Sequence, residues 1–138
     1  MRKQFQIDVG NGLDIIGDIH GCFDEFIELL TLLGYEEQDG LYKHPEGRKI
    51  VSVGDITSRG PKSIAALQFF IKHNAARLSY MTDSNHGWKI ARWLDGRNVQ
   101  LTHGDDKVAD EFEAFEAVNG KATTDELRQA SKELLLEA

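Results

Sequence analysis

Two polar residues, Asp18 and His20, follow the aliphatic pair Ile15 and Ile16 after a single glycine. A β-strand projects residues i and i+2 to the same side, so these two side chains can converge just beyond a strand end. A carboxylate and an imidazole together suit a divalent transition metal. A polar turn after a strand has the same pattern, so this short motif alone leaves both interpretations open.

Two more polar clusters follow aliphatic runs further along the chain. Asp55 and Arg59 come after residues 50–53, and Asn85 and His86 come after residues 78–81. The carboxyl ends of parallel strands lie at one edge of a sheet, where ligands bind in open α/β folds. We therefore expect the side chains of the three clusters to meet at this edge.

The types of these side chains predict a metal site of a particular chemistry. Carboxylate, amide and imidazole ligands without a thiolate suit manganese, iron or zinc better than copper(I) or an iron–sulfur cluster. Asp55 could bridge two ions that clamp an in-line attack at phosphorus, and Arg59 could contact phosphate oxygens through its planar guanidinium group. Simpler alternatives remain, since Asn85 could cap a helix and Arg59 could be a surface residue.

Alternating strands and helices must position these clusters, and they predict an α/β fold with mostly parallel strands and C-terminal helices. The predicted strands are residues 4–9, 13–17, 50–53, 78–81 and 99–102. The predicted helices are residues 23–33, 61–73, 86–94, 106–118 and 123–137. Between the first helix and the strand at 50–53, Asp39-Gly40 and Glu46-Gly47 indicate a small hairpin within residues 35–48.

Composition narrows the classes of protein to consider. The chain has 138 residues, of which 41% are hydrophobic and 28% charged, as is ordinary for a globular domain. The net charge of −7 does not favour binding to nucleic acid or to an anionic membrane, although a nucleic-acid end remains a conceivable substrate. A lone cysteine, Cys22, and the lack of a signal-peptide pattern or a membrane-length apolar run predict a cytoplasmic protein.

The ordered motifs resemble those of the calcineurin-like metallophosphoesterase family, which are Asp-x-His, Gly-Asp-x-x-Asp-Arg and Gly-Asn-His. Their counterparts in this chain are Asp18-Ile19-His20, Gly54-Asp55-Ile56-Thr57-Ser58-Arg59 and Ser84-Asn85-His86. One branch of the family resembles this chain further, in the segments Asn85-His86-Gly87-Trp88-Lys89 and His103-Gly104. That branch contains the bis(5′-nucleosyl)-tetraphosphatases and the phosphatase module of polynucleotide kinase-phosphatases. The resemblance covers roughly residues 13–110.

The resemblance implies an α-β-β-α sandwich and a role for each residue that matches a motif. Asp18 and His20 would hold the first metal, Asp55 would bridge both metals, and Asn85 would hold the second. His86 would assist the leaving group and Arg59 would orient the phosphoryl group. The implied cofactor is a divalent metal, usually manganese, with iron, zinc or nickel as alternatives. The implied reaction is hydrolysis of phosphate esters or nucleoside polyphosphates by a metal-activated water.

The chain also departs from the family pattern. Ser58 and Ser84 replace the usual aspartate and glycine, and no Gly-His or Gly-His-x-His motif follows His103. We therefore expect residues 1–138 to be a single metallophosphoesterase domain, truncated at its C-terminus and corresponding to the first half of the fold. The alternative is a catalytically incomplete remnant that binds metal, nucleotide or a protein partner. A sheet without its usual packing partner would expose apolar surface, which predicts self-association or poor solubility. The alternative is that the acidic C-terminal helices cover this face.

Three further predictions concern residues outside these motifs. His44 and His73 are expected to be surface residues. The acidic residues between Asp105 and Glu116 are expected to form the solvated face of a helix.

Overall fold

The computed structural model describes residues 12–17, 19–53, 56–57, 62–81, 93–94 and 105–137. Its elements in chain order are β1 (Leu13–Ile16), α1 (Phe23–Leu32), β2 (Glu36–Gln38), β3 (Leu41–Lys43), β4 (Lys49–Ser52), α2 (Ser63–Ala75), β5 (Ser79–Met81), α3 (Asp105–Asn119) and α4 (Lys121–Glu137). The strands predicted at 4–9 and 99–102 lie outside the described residues. So does the helix predicted at 86–94, except for residues 93–94.

Three strands form a parallel sheet in the order β1-β4-β5, with β4 in the centre. Ile15 of β1 pairs with Val51 of β4, which in turn pairs with Tyr80 of β5. Parallel neighbours need long crossover connections, and α2 supplies the one between β4 and β5. The pairing of these strands confirms the predicted α/β class with parallel strands. Each strand also lies within one residue of its predicted position.

The hairpin predicted within residues 35–48 is confirmed by the antiparallel pair β2–β3. Its two-residue turn consists of Asp39 and Gly40, both of which have positive φ, at 53° and 81°. Two consecutive positive φ angles are the mark of the hairpin turn that matches strand twist. The hairpin packs through β3 against α2.

Helix α1 ends as the sequence predicts, at a glycine in the left-handed region. Gly34 has φ +96°, and its N–H donates to the Thr31 carbonyl at 3.1 Å. The N–H of Tyr35 donates to the Leu30 carbonyl at 3.0 Å, which completes a Schellman motif. The motif turns the chain so that the Tyr35 side chain is buried, with 4% of its surface exposed.

Helix α2 lies at the centre of the packing. It contacts α1 and β3, and also β5, α3 and α4. Ile64, Leu67 and Phe70 lie along one face of the helix and are buried. Burial extends around the helix to Ala66 and Phe69, since helices pack on more than one side of it. Several aromatic rings fill the space towards α1, and the Phe26 and Phe69 rings meet edge to face with centroids 4.9 Å apart.

The prediction that His73 is a surface residue is wrong. Only 1% of His73 is exposed, and its ring stacks on Phe69 with centroids 3.6 Å apart. The N–H of Tyr42 donates to Nε2 at 3.0 Å, so Nε2 is unprotonated and the Nδ1–H donates to the Phe69 carbonyl at 2.7 Å. Burial lowers the pKa of the imidazole. His73 is therefore a neutral, fully hydrogen-bonded core residue that attaches the β2–β3 hairpin to α2.

A polar network lies at the amino ends of the strands, which is the end of the sheet opposite to the predicted site. The Asp14 carboxylate accepts hydrogen bonds from the Tyr35 hydroxyl at 2.6 Å and from two nitrogens of Arg48 at 3.1 Å each. A further 2.8 Å bond joins the Arg48 guanidinium to the Leu13 carbonyl. Hydrogen bonding from Arg48 lowers the pKa of Asp14, and burial together with the bond to Asp14 raises the pKa of Tyr35. The network thereby links β1 to the segments before β2 and β4.

Two C-terminal helices, α3 and α4, pack against α2 and against each other. They correspond to the helices predicted at 106–118 and 123–137, and the break between them is at Gly120, where φ is +85°. Val108 and Phe112 of α3 are fully buried, as expected for a helix with one face in the core. Over the described ranges, the helices are too short or too polar to cross a membrane.

Candidate functional site

The first predicted motif lies in a tight turn between β1 and α1. His20 and Gly21 have φ angles of +48° and +74°, and the Cys22 N–H closes the turn on the Ile19 carbonyl at 2.9 Å. A left-handed conformation costs a non-glycine residue roughly 1–2 kcal/mol, although histidine adopts it more often than most residues. The His20 side chain is half-buried. The turn thus holds an imidazole at the end of β1, where the sequence predicts a metal ligand; Asp18 lies outside the described residues.

Two backbone hydrogen bonds join this turn to the loop between β4 and α2. The Gly21 N–H donates to the Ile56 carbonyl at 2.8 Å, and the Lys62 N–H donates to the Gly21 carbonyl at 2.9 Å. The loop residues Ile56 and Thr57 are almost fully buried, with 2% and 1% of their surfaces exposed. The backbone N–H and C=O groups of Gly21 therefore contact the chain within the second predicted motif, at Ile56, and just after it, at Lys62. Asp55 and Arg59 of that motif lie outside the described residues.

The sheet itself places the two loops beside each other. Pairing between β1 and β4 continues past the last paired residues, since the Val53 N–H donates to the Ile16 carbonyl at 3.0 Å. The chains leaving the two strands therefore start from neighbouring points at one edge of the sheet. Met81, the last residue of β5, pairs with Ser52 at the same edge. The third predicted cluster, Asn85 and His86, lies outside the described residues.

A residue that the sequence predictions missed, Glu111, secures the start of α2. Its carboxylate accepts the N–H of Ser63 at 2.8 Å through Oε2 and the N–H of Ile64 at 3.0 Å through Oε1. The prediction of a fully solvated acidic face is therefore wrong for Glu111, which is half-buried, although Asp110 and Glu113 beside it are exposed. No local pattern signals this contact, because 48 residues separate Glu111 from Ser63.

An exposed ion pair also spans the starts of α1 and α2. Lys62 Nζ lies 2.9 Å and 3.0 Å from the two carboxylate oxygens of Asp24. Both side chains are largely solvent-accessible, so the pair adds little to stability.

The donor chemistry fits the metal that the motifs predict, as far as the described residues extend. A half-buried imidazole at a strand end is a suitable ligand for manganese, iron or zinc, and it is held in a turn bonded to the loop after β4. Within residues 12–17, 19–53, 56–57, 62–81, 93–94 and 105–137, no three histidine, cysteine, aspartate or glutamate side chains cluster tightly enough to hold an ion. His20 is the one predicted ligand in these ranges, so the convergence of the full ligand set stays a prediction.

Comparisons with known proteins include the motif residues that lie outside the described ranges. The model of the family described as calcineurin-like phosphoesterase matches residues 13–133. Three similar relatives are proteins named bis(5′-nucleosyl)-tetraphosphatase PrpE (asymmetrical). The one from Geobacillus sp. (strain WCH70) is 44% identical over 103 residues, that from Halalkalibacterium halodurans is 43% identical over 102, and that from Bacillus cereus (strain B4264) is 44% identical over 105.

These matches cover 74–75% of this chain but only 42% of each relative, so the chain spans about two fifths of the length of the curated relatives it matches. The match to the family model, in contrast, covers most of the chain. The resemblance found in the motifs is confirmed, including the branch that contains the tetraphosphatases. The chain belongs to the calcineurin-like phosphoesterase family.

Proposed function

We propose that this protein is a metal-dependent phosphoesterase that hydrolyses phosphate esters or nucleoside polyphosphates. The observation that carries the proposal is the bonding of the His20–Gly21 turn to Ile56, within a chain of this family. Ile56 directly follows Asp55 in the sequence, and His20 follows Asp18 by two residues. The backbone segments that contain the first two motifs are thus adjacent.

The site that we propose assigns one role to each motif residue. Its metal ligands are Asp18, His20, Asp55 and Asn85, with Asp55 shared between two ions. Arg59 holds the phosphoryl group through paired hydrogen bonds, and His86 donates a proton to the leaving oxygen or stabilises its charge. A bound divalent ion would supply Lewis-acid polarisation of the phosphoryl group and a water acidic enough to attack at neutral pH. Manganese is the ion that we propose, with iron, zinc or nickel as alternatives.

The relatives indicate the substrate class, and the net charge of the chain sets a condition for binding it. The similar relatives are named for action on bis(5′-nucleosyl) tetraphosphates, so a nucleoside polyphosphate is the substrate that we propose to test first. A chain with a net charge of −7 repels such an anion at long range. Bound cations at the carboxyl edge of the sheet would therefore be needed for binding as well as for chemistry.

Two broader features belong to the same proposal. We treat residues 1–138 as one domain, because α2 packs against both the N-terminal elements and the C-terminal helices. The reducing cytoplasm is the compartment that we propose, since Cys22 has no second cysteine in the chain to pair with.

The decisive experiment measures metal binding and turnover on the same purified protein. Isothermal titration is expected to show about one Mn²⁺ or more per chain, and Asp55→Ala is expected to abolish this binding. Hydrolysis of diadenosine tetraphosphate is expected to require added Mn²⁺, to stop with EDTA, and to fall at least about a hundredfold in His86→Ala.

A matched pair of variants tests the role of the His20 imidazole without changing the backbone of its turn. Asparagine tolerates the positive φ of His20, so His20→Asn replaces the imidazole with a shorter amide without adding strain. It is expected to weaken Mn²⁺ binding about tenfold or more, while His44→Asn, which removes a histidine in contact with the Leu33 carbonyl at the C-terminal end of α1, leaves it unchanged. Absence of Mn²⁺ binding in the wild type, or activity that survives chelation, would overturn the proposal. Binding without turnover would instead support the metal-binding remnant.

A further inference from the structure

The first turn of α2 is capped by a residue from another helix. Lys62, at the N-cap position, has φ −131° and ψ 53° and makes no side-chain capping bond. The N–H groups of Ser63 and Ile64 donate instead to the two carboxylate oxygens of Glu111, at 2.8 Å and 3.0 Å. Helix N-termini are ordinarily capped by a serine, threonine, aspartate or asparagine of the same segment.

The contact holds the start of α2 through two hydrogen bonds to one carboxylate. Each oxygen of Glu111 accepts from a different, consecutive N–H, so the carboxylate restricts both the rotation and the translation of the helix start. The acceptor carries a negative charge, which strengthens the bonds and interacts favourably with the helix dipole. Glu111 is itself held in place, because Val108 and Phe112 beside it on α3 are fully buried.

Bonds continue from this cap into the loops of the proposed site. The N–H of Lys62, one residue before the capped pair, donates to the Gly21 carbonyl, and the Gly21 N–H donates to the Ile56 carbonyl. Segment 56–62 is therefore held at its first residue by Gly21 and at its last by Gly21 together with the capped helix. Arg59 lies within this segment in the sequence, and Asp55 immediately precedes it.

We propose that Glu111 is a positioning residue for the metal and phosphate groups of the site. It acts by fixing the start of α2 against α3, and so the segment 56–62 against the His20–Gly21 turn. The role in metal binding rests on the proposed function, whereas the role in holding the loops does not. Glu111 touches neither substrate nor metal in this arrangement.

If the Glu111 cap only stabilises the fold, its loss should lower protection from exchange throughout the chain. If the cap positions the loops, its loss should affect the loops selectively. We compare Glu111→Ala with Glu113→Ala, which makes the same change of charge at an exposed position two residues away on α3. Glu111→Gln keeps one carbonyl oxygen as an acceptor and gives an intermediate test if the alanine variant folds poorly. Each variant is checked for folding by circular dichroism before measurement.

The first measurement is amide hydrogen exchange on the metal-free chain. Positioning predicts faster exchange, by about tenfold, at the Gly21 and Lys62 amides in Glu111→Ala, with the Phe112 amide in the middle of α3 unchanged. Glu113→Ala is expected to match the wild type at all three amides. Unchanged protection at Gly21 and Lys62 would overturn the proposal, and so would a uniform loss of protection throughout the chain.

The second measurement is Mn²⁺ affinity by isothermal titration under conditions where every variant is folded. We expect Glu111→Ala to bind about tenfold more weakly, Glu111→Gln to be intermediate and Glu113→Ala to be unchanged. A wild type that binds Mn²⁺ and a Glu111→Ala variant that binds it equally well would overturn the positioning role in metal binding. A wild type that binds no Mn²⁺ would overturn the proposed function, and the exchange data alone would then decide whether Glu111 holds the loops.

Discussion

The N–H of Gly21 lies 2.8 Å from the carbonyl oxygen of Ile56, and this bond is one of two that join the loop after β1 to the loop after β4. The Gly21 carbonyl accepts in turn from Lys62, so the backbone of this one residue contacts the second loop at two points. In parallel α/β folds, separate strand-end loops must be held together before their side chains can share a ligand. The backbone of Gly21 provides that connection in this chain.

Gly21→Ala is expected to test this connection. Gly21 has φ +74° and is buried, so a methyl group there forces a strained backbone that costs roughly 1–2 kcal/mol in urea unfolding. Gly120→Ala is the control, because Gly120 has a similar φ of +85° and open space around the added carbon, but lies between α3 and α4. Both variants should lose stability, and only Gly21→Ala should also lose Mn²⁺ affinity. Equal Mn²⁺ affinity in the two would mean that the Gly21 bonds do not organise the site.

His73 is expected to make folding sensitive to pH near neutrality. Burial lowers its pKa below the ordinary value of 6.5, so the unfolded chain binds a proton that the folded chain does not. Its contribution to stability is complete above about pH 6.5 and is lost as the pH falls from there towards the lowered pKa. Urea midpoints between pH 5 and 7.5 should therefore decrease with acidification in the wild type.

His73→Gln should flatten this pH dependence, since the glutamine oxygen can still accept the Tyr42 N–H but cannot titrate. His44→Gln is the control, and it should keep the wild-type slope because His73 remains. A slope that persists unchanged in His73→Gln would show that another group causes it.

Asp14→Asn is expected to lower the urea midpoint at pH 7, because the buried network loses its charge-assisted bonds to Arg48. The pKa of Asp14 is lowered in the fold, so its stabilising contribution is present above the ordinary value near 3.8 and is lost as the pH falls through the lowered pKa. The difference between variant and wild type should thus shrink in acid. Asp24→Asn, which alters an exposed ion pair, should change the midpoint little at any pH.

Self-association is expected to depend on the sheet rather than on the helices. Ile15 of β1 is 68% exposed and Val53, just after β4, is 46% exposed, so an apolar area lies next to the paired strands. Ile15→Lys should reduce self-association in sedimentation velocity at high protein concentration. Leu32→Lys, at an 81% exposed position on α1, should not. A protein that remains monomeric throughout, or that responds equally to both changes, would contradict this expectation.

Local sequence patterns predict a helix or a turn well where neighbouring residues in the sequence determine it. Phe26 and Leu30 recur at helical spacing and are buried, and Asp39-Gly40 forms the expected turn because both residues accept positive φ. The motif order predicts the family for a similar reason, since the chemistry of each cluster is contained in a few adjacent residues. The edge at which the first two loops meet follows from the parallel pairing of β1 and β4.

Contacts between distant segments account for what the sequence does not predict. His73 lies in a helical pattern that gives it no distinctive partner, and its burial depends on Tyr42, 31 residues earlier. Glu111 belongs to an acidic run in which Asp110, Glu113 and Glu116 are exposed, and its role depends on where α3 crosses the start of α2. Such partners are set by the packing of whole elements, which no local spacing encodes.

The cap from Glu111 also has a consequence for the order in which the protein is made. The first turn of α2 is synthesised 48 residues before the carboxylate that satisfies its N–H groups. During translation, β1, β4 and α2 can therefore emerge while the segment between β4 and α2 still lacks its final anchor. Long-range contacts of this kind form late and slow folding. The arrangement of the loops is thus complete only after α3 has been synthesised and has packed against α2.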